Sequence, residues 1–404
     1  MKKYIKLLFI FLILNIQIVQ AEEFNITSDY VILYNLNDNE VLYEQESREK
    51  TQIASLTKIM ATIVAIEENQ NLDEEVTITN EALKGIWEYS KVGFKVGDKV
   101  TVRDLLYGTL LPSGADAVNA LAIHTSGNVD KFVNLMNEKV AELKLENTSF
   151  DNPIGMDSDN NYSTAYDMAT ILKYSLENPT FKEIFNTLEY TIPSLGITMK
   201  STLIGYSKSY GLDVSEITGA KSGFTDGAGL CLASTATIDD VNYLLVTIGA
   251  DTSNRSNAVR DTLEIYGYYS STYSYQSIME KDDVLATVPV KWGKVKTYEI
   301  KALEDMELYL ENGLRQNKIK YKFNGVEELN YQIKKGDKLG TITVLYRNEE
   351  LTTYDVYLTE NIEYYHPVLY AIIIIAIIIM ILSLKSIIKN KKKKKSKKQV
   401  KHSK

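Results

Sequence analysis

Three short stretches hold residues whose types and spacing suit nucleophilic chemistry. The first is Ile53-Ala54-Ser55-Leu56-Thr57-Lys58-Ile59-Met60, at the front of an apolar run that extends to Ile66. Positions three apart share one face of a helix, so the Ser55 hydroxyl and the Lys58 amine would meet there. An amine takes the proton of a nucleophilic hydroxyl only when it is neutral. The apolar run supplies the reason for neutrality, because desolvation lowers a lysine pKa by up to several units. Ser55, near the helix start, would also feel the positive end of the helix dipole. The same spacing recurs at Ser47-Arg48-Glu49-Lys50, in a charged stretch, and at Ser386-Ile387-Ile388-Lys389, at the edge of an apolar segment. Neither has an apolar helix behind it and partner stretches downstream. The other two stretches are Pro112-Ser113-Gly114-Ala115 and Lys221-Ser222-Gly223. Taken singly, the former reads as a helix–helix turn, and the latter as a strand lysine before a turn.

The remaining chemistry-bearing residues exclude the common alternatives. His124, His366 and His402 are scattered and share no ligand spacing, which argues against a zinc site or a Ser-His-Asp triad. Cys231 is the single cysteine, so no intrachain disulfide forms, and its apolar surroundings make it a core residue. The net charge of −8 combines 11 lysines without an acid in 385–404, three lysines without an acid in 1–21, and hence a body of −22 between them. An acidic body argues against nucleic-acid binding.

The elements that must position these residues follow in order. Lys2, Lys3 and Lys6, the apolar Leu7–Val19 and Val19-Gln20-Ala21 read as a signal peptide over 1–21. Tyr30–Tyr34 and Val41–Tyr43, separated by a polar turn, predict a hairpin. The Ser55 helix follows. Thr101-Val102-Arg103-Asp104 predicts a capping box before a helix over Leu105–Leu111. Pro112-Ser113-Gly114 breaks that helix and Ala115–His124 restarts it, so Ser113 sits in a tight corner from which its hydroxyl can face a cleft. Helical periodicity returns at Val129–Leu143 and Thr164–Leu176. Strands are expected at Gly229–Ala236 and Tyr243–Gly249, with Val259–Tyr269 a closing helix and Lys221 opening a strand. Helices between an N-terminal hairpin and C-terminal strands imply an α+β domain with one antiparallel sheet. From about Asp283 the period becomes two, through Val284–Val290, Met306–Leu310, Ile319–Phe323 and Ile342–Tyr346, which predicts a small all-β domain acting as a stalk. Val368–Leu384 is 17 residues without a charge, a transmembrane helix by composition, and the basic 389–404 marks its cytoplasmic side.

The three stretches in this order resemble the low-molecular-weight penicillin-binding proteins that act as D-alanyl-D-alanine carboxypeptidases, whose fold is the penicillin-binding/β-lactamase-like one. Asn152-Pro153-Ile154-Gly155-Met156-Asp157, Tyr162-Ser163-Thr164-Ala165-Tyr166-Asp167 and Lys221-Ser222-Gly223-Phe224-Thr225-Asp226-Gly227-Ala228-Gly229 also resemble segments of that family. The resemblance covers residues 24–270. It implies that Ser55 attacks the penultimate D-Ala carbonyl of a peptidoglycan stem peptide and that Lys58 takes its proton. Ser113 would relay a proton to the leaving nitrogen. Lys221 would supply positive charge near Ser113 and the substrate carboxylate, and Ser222 a hydrogen bond to that carboxylate. Gly223 would let substrate lie close to the strand. The backbone N–H groups of Ser55 and Phe224 would form the oxyanion hole. Arg255 either helps bind the carboxylate, as an arginine in this region does in relatives, or makes a surface ion pair. No metal and no cofactor are implied, and β-lactams would act as inhibitors. The third stretch carries Ser222 where the family has Thr, which keeps the hydroxyl. The second stretch ends in Ala115 where the family has Asn, and so lacks a side-chain amide that in relatives helps hold the lysine and the substrate.

The resulting expectation is a signal peptide over 1–21, a catalytic domain over 24–272, a β domain over 283–362, a transmembrane helix over 367–388 and a basic tail over 389–404. The protein would sit in the cell membrane through its C-terminal helix, with the catalytic domain facing the wall. Two other functions fit parts of the chain. One is a penicillin-fold scaffold that binds wall peptides with little turnover, which Ala115 motivates. The other is a serine β-lactamase, disfavoured because no Glu-x-x-x-Asn deacylation element lies between Ser113 and Lys221.

Overall fold

The computed structural model of the chain describes residues 24–365 and 367–401. The expected signal peptide over 1–21 lies outside the described residues. The chain forms two compact units, one up to Ser271 and one from Thr272.

In chain order the first unit contains β1 (Tyr30–Asn35), β2 (Glu40–Gln45), α1 (Thr57–Glu68), β3 (Glu75–Thr77), β4 (Lys99–Thr101), α2 (Val102–Leu110), α3 (Ala115–Ser126), α4 (Val129–Glu142), α5 (Ala165–Glu177) and α6 (Pro179–Phe185). It continues with β5 (Glu189–Thr191), β6 (Thr198–Lys200), α7 (Thr202–Tyr210), β7 (Ile217–Thr225), β8 (Gly229–Ile238), β9 (Val241–Ala250) and α8 (Asn257–Thr272). Five strands make one antiparallel sheet in the order β2-β1-β9-β8-β7. The link from β8 to β9 is Asp239-Asp240, at φ 49° and 64°. Two successive positive φ values suit a tight hairpin whose twist matches its strands. This arrangement leaves β7, the strand of Lys221, at the sheet edge. Lys221 lies in mid-strand rather than opening it. The residues before it, Ile217-Thr218-Gly219-Ala220, show no alternation and contain a glycine and a register shift, so their pairing with β8 is invisible to periodicity.

The apolar run behind Ser55 folds as expected. A 3-10 turn over Ala54–Leu56 leads into α1, and from Ile53 to Ile66 every residue except Ser55 is buried. Burying side chains such as Ile59, Met60 and Ile63 contributes about 1.5–3 kcal/mol each, so the turn that carries Ser55 stands on the core itself. The capping box of α2 is present: Asp104 N donates to Thr101 Oγ1 at 3.1 Å and Thr101 N to the Asp104 carboxylate at 2.8 Å.

The second unit holds β10 (Tyr273–Met279), β11 (Val284–Pro289), β12 (Thr297–Lys301), β13 (Met306–Glu311), β14 (Ile319–Gly325), β15 (Lys338–Tyr346) and β16 (Glu349–Tyr357). They pair as β10-β13, β11-β12 and β14-β15-β16 around a core that includes Ile278, Val288, Ile300, Leu329, Ile342 and Val344. The helix α9 (Pro367–Lys401) ends the described chain, and within it Val368–Lys394 has a window of mean hydropathy 2.9, long and apolar enough to cross a membrane.

Candidate active site

Two serine–lysine pairs define the site. Lys58 Nζ lies 2.9 Å from Ser55 Oγ, and Lys221 Nζ lies 2.9 Å from Ser113 Oγ. Ser55 is half-buried on its turn, the one residue of Ile53–Ile66 within reach of solvent. Lys58 is buried and donates to the Ile154 carbonyl at 2.5 Å. Burial holds its ammonium well below the ordinary lysine range; the charge of Lys221 pushes the same way, and Asp116 opposes them. Lys221 is also buried, donating to the Ser222 carbonyl at 2.6 Å, and burial lowers its pKa to about 7. Lys58 is therefore the amine that sheds its proton first, and Lys221 the one that carries charge. A neutral Lys58 keeps one N–H on Ile154 and has a lone pair free for the Ser55 O–H.

Ser113 occupies the corner between α2 and α3 at φ 62° and is buried. A left-handed serine is strained, and its neighbours fix it. Gly114 N donates to Gly108 O at 2.8 Å and Ala115 N to Ser90 O at 2.8 Å. A side chain at 114 would meet Gly108 O at 2.7 Å and Val92 Cγ2 at 2.9 Å, so only glycine fits. Ala115 is fully buried, and no amide reaches Lys58 from it. Asp116 turns away and accepts from the backbone of Val92, Gly93 and Phe94 at 2.9, 2.8 and 3.2 Å.

On β7, the space a side chain at Gly223 would take is filled by the Ser55 turn, with Ser55 N at 3.0 Å and Ala54 Cβ at 3.1 Å. The glycine thus brings strand and turn together. Ser222 shares a hydrogen bond with Thr202 Oγ1 at 2.8 Å. Arg255 stacks its guanidinium 3.9 Å above the Phe224 ring, and makes no ion pair among the described residues, which leaves its charge available. Cys231 faces Gly223 from β8, and burial pushes its thiol up to about 12, as befits an inert core residue. The decoys stay apart from any site. Ser47 Oγ donates to Glu44 while Lys50 sits over the Tyr162 ring, and Ser386 and Lys389 lie exposed on α9.

Several participants escaped the sequence reading. The Ile154 carbonyl is placed by a turn in which Asn152 Oδ1 accepts from Gly155 N at 2.7 Å and Met156 N at 2.9 Å. Gly155, at φ 88°, packs on the Ser55 turn so closely that a Cβ would lie 1.9 Å from Ala54 O. The Asn-Pro-x-Gly-x-Asp segment was the available signal. Thr202 and Tyr206 come from α7, whose only buried residue is Leu203. Tyr206 lies close enough to Ser222 for that hydroxyl to lower its phenol pKa, while burial, the larger effect, raises it. No spacing in α7 announces this.

Comparison with known proteins follows the same divisions. The chain matches the D-alanyl-D-alanine carboxypeptidase family over residues 17–252 and the C-terminal domain of penicillin-binding protein 5 over 273–364. It is similar to the D-alanyl-D-alanine carboxypeptidase DacF of Bacillus subtilis (strain 168), 29% identical over 82% of this chain and 85% of that one. It is also similar to DacC, another D-alanyl-D-alanine carboxypeptidase, of Escherichia coli (strain K12), 30% identical over 82% and 83%. In fold it is like penicillin binding protein 5 from Haemophilus influenzae, with a TM-score of 0.62 at 24% identity, over 85% of this chain and 99% of that one.

Proposed function

From the premise that the chain belongs to the D-alanyl-D-alanine carboxypeptidase family, and so is a serine hydrolase, we propose which of its residues perform the reaction. The family acts on peptidoglycan peptides and binds β-lactams. The observation that carries the assignment is the pair of serine–lysine contacts at 2.9 Å, with Lys58 buried beside the accessible Ser55 and that burial lowering its pKa.

In this reading the peptide lies along the free edge of β7. Its terminal carboxylate meets Ser222, Arg255 and the Lys221 charge. The arriving anion holds the proton on Lys221, whose own pKa of about 7 leaves it poised. Ser55 Oγ attacks the penultimate D-Ala carbonyl as its proton passes to Lys58 Nζ. The developing oxyanion is met by the N–H groups of Ser55 and Phe224. The C–N bond then breaks as the proton that Lys58 received passes through Ser113 to the leaving nitrogen, so D-Ala departs and Lys58 is neutral again. Water attacks the Ser55 ester as its proton passes to Lys58, and Lys58 returns that proton to Ser55 Oγ as the ester C–O bond breaks and the shortened peptide leaves. A β-lactam follows the first half of this path and stays as the acyl-enzyme.

At cellular level, the reading puts the enzyme in the cell membrane through α9, with the catalytic unit on the wall side and the lysine-rich end in the cytoplasm. The test is direct. The full chain in detergent should release D-Ala from diacetyl-Lys-D-Ala-D-Ala, and Ser55→Ala should lose both that release and fluorescent-penicillin labelling. Labelling of Ser55 without D-Ala release would favour the wall-peptide scaffold, and rapid penicillin turnover the lactamase.

A further inference from the structure

One exposed tip of the β unit is built unlike a solvent loop. Trp292 stands at φ 60°, a strained setting for a bulky residue, and is 56% exposed; Val295 beside it is 51% exposed. The tip is pinned at its base, with Val290 N donating to Lys296 O and Lys291 N to Leu329 O, both at 2.8 Å. Its other flank pairs with the segment that leads into α9. Lys294 N donates to Glu363 O at 2.8 Å, Tyr365 N donates to Trp292 O at 2.6 Å, and Gly293 bridges to Tyr364. Trp292 is therefore held beside Tyr365, two residues, or roughly 7 Å of chain, from the first residue of the apolar helix. Tyr365 and Tyr370 are about half exposed and lie with ring centroids 6.3 Å apart.

We propose that this tip is a membrane-docking surface. Trp292 and Val295 sit in the interfacial layer of the leaflet that α9 enters, alongside Tyr365 and Tyr370. The inference rests on the reading of α9 as a membrane anchor. If the helix enters a bilayer at Pro367, backbone pairing alone brings Trp292 to the depth of Tyr365, where amphipathic aromatic rings are most stable. Charge says which lipid feature is recognised. Lys291 pairs with Glu328 at 2.8 Å and Lys294 pairs with Glu363, so these two cations are already neutralised and the surface is aromatic rather than polybasic. Docking then needs no anionic lipid. Its consequence is that the β unit meets the bilayer at two points, the helix and the tip, and cannot swivel freely about the helix.

The chain has only two tryptophans, Trp87 and Trp292, which makes the test specific. The full chain bearing Trp87→Phe is reconstituted in phosphatidylcholine vesicles, with and without bromine on the acyl chains near the headgroup. Trp292 emission should fall at least twofold in the brominated vesicles, while the Trp292→Phe chain, which reports Trp87, keeps its emission. Equal Trp292 emission in both vesicles, from protein that resists alkaline carbonate extraction, overturns the docking and leaves the anchor standing. Extraction by carbonate overturns the anchor and the docking together. Retained D-Ala release in detergent by both variants shows that neither has unfolded.

Discussion

Gly155 and Gly127 share a φ of 88° and differ in what surrounds them, so together they isolate how Ser55 is held. Alanine at either site costs about 1 kcal/mol in left-handed strain. At 127, the C-cap of α3, a Cβ meets nothing within 4 Å. At 155 it lies 1.9 Å from Ala54 O, 2.4 Å from Ala54 C and 3.0 Å from Ser55 N. Relief requires the 154–156 turn or the Ser55 turn to move by roughly 1.5 Å, and misplacement of about 1 Å costs on the order of 10²-fold in rate. Both movements damage the same geometry. One withdraws the Ile154 carbonyl from Lys58, the other shifts Ser55 from Lys58 and from the Phe224 N–H. Gly155→Ala should therefore lower the acylation rate about 10²-fold, near 2.7 kcal/mol in activation free energy. Gly127→Ala should lose only stability. The assay is the time course of fluorescent-penicillin labelling of each full-length variant, with unfolding followed by circular dichroism. Acylation of Gly155→Ala at the wild-type rate, or equal loss in Gly127→Ala, would refute the reasoning.

Two further outcomes follow from the site. Lys221 has a pKa of about 7 in the fold against 10.5 when solvated, so between these values the unfolded chain binds the extra proton. Its burial is then most costly below pH 7, and wild-type stability should rise from pH 7 to pH 9 relative to Lys221→Met, by at most about 1.4 kcal/mol per pH unit; a pH-independent difference in urea unfolding would sink this. Arg255→Ala should raise KM for a D-Ala-D-Ala peptide about tenfold, the equivalent of one charge-assisted hydrogen bond of roughly 1.4 kcal/mol, with kcat unchanged. A fall in kcat instead would mean that Arg255 acts through the Phe224 ring on which it stacks.

The parts of the site legible in the sequence are those in which a side chain does the chemistry and a periodic element carries it. Ser55 and Lys58 stand three residues apart where a 3-10 turn runs into α1, and the apolar run behind them implies both burial and a depressed lysine pKa. Ser113 was legible because proline and glycine break a helix at a readable place. Less was readable where the backbone does the work. Any residue supplies a carbonyl, so nothing at position 154 marks it as the partner of Lys58. The contribution of α7 was hidden for another reason. One buried residue in nine gives it no apolar stripe, so neither the helix nor the reach of Thr202 and Tyr206 to Ser222 shows in a pattern. In the β unit, β12 alternates strictly but over five residues only, and β16 has a single buried residue, whereas β14 alternates over a longer run and so is seen.

Position 115 shows how these two kinds of information combine. Read from the sequence, an alanine there removes an amide and leaves Lys58 short of a partner. In the fold that alanine is fully buried, and Lys58 is instead held by a main-chain carbonyl at 2.5 Å. A carbonyl cannot rotate away as a side-chain amide can; it moves only with its turn, which Asn152 and Gly155 fix. A neutral amine needs no more than one such acceptor to aim its lone pair at a hydroxyl. The geometry required for proton transfer thus depends on the Asn152–Gly155 turn rather than on residue 115, so changes in that turn should disturb acylation more than a conservative change at 115 does.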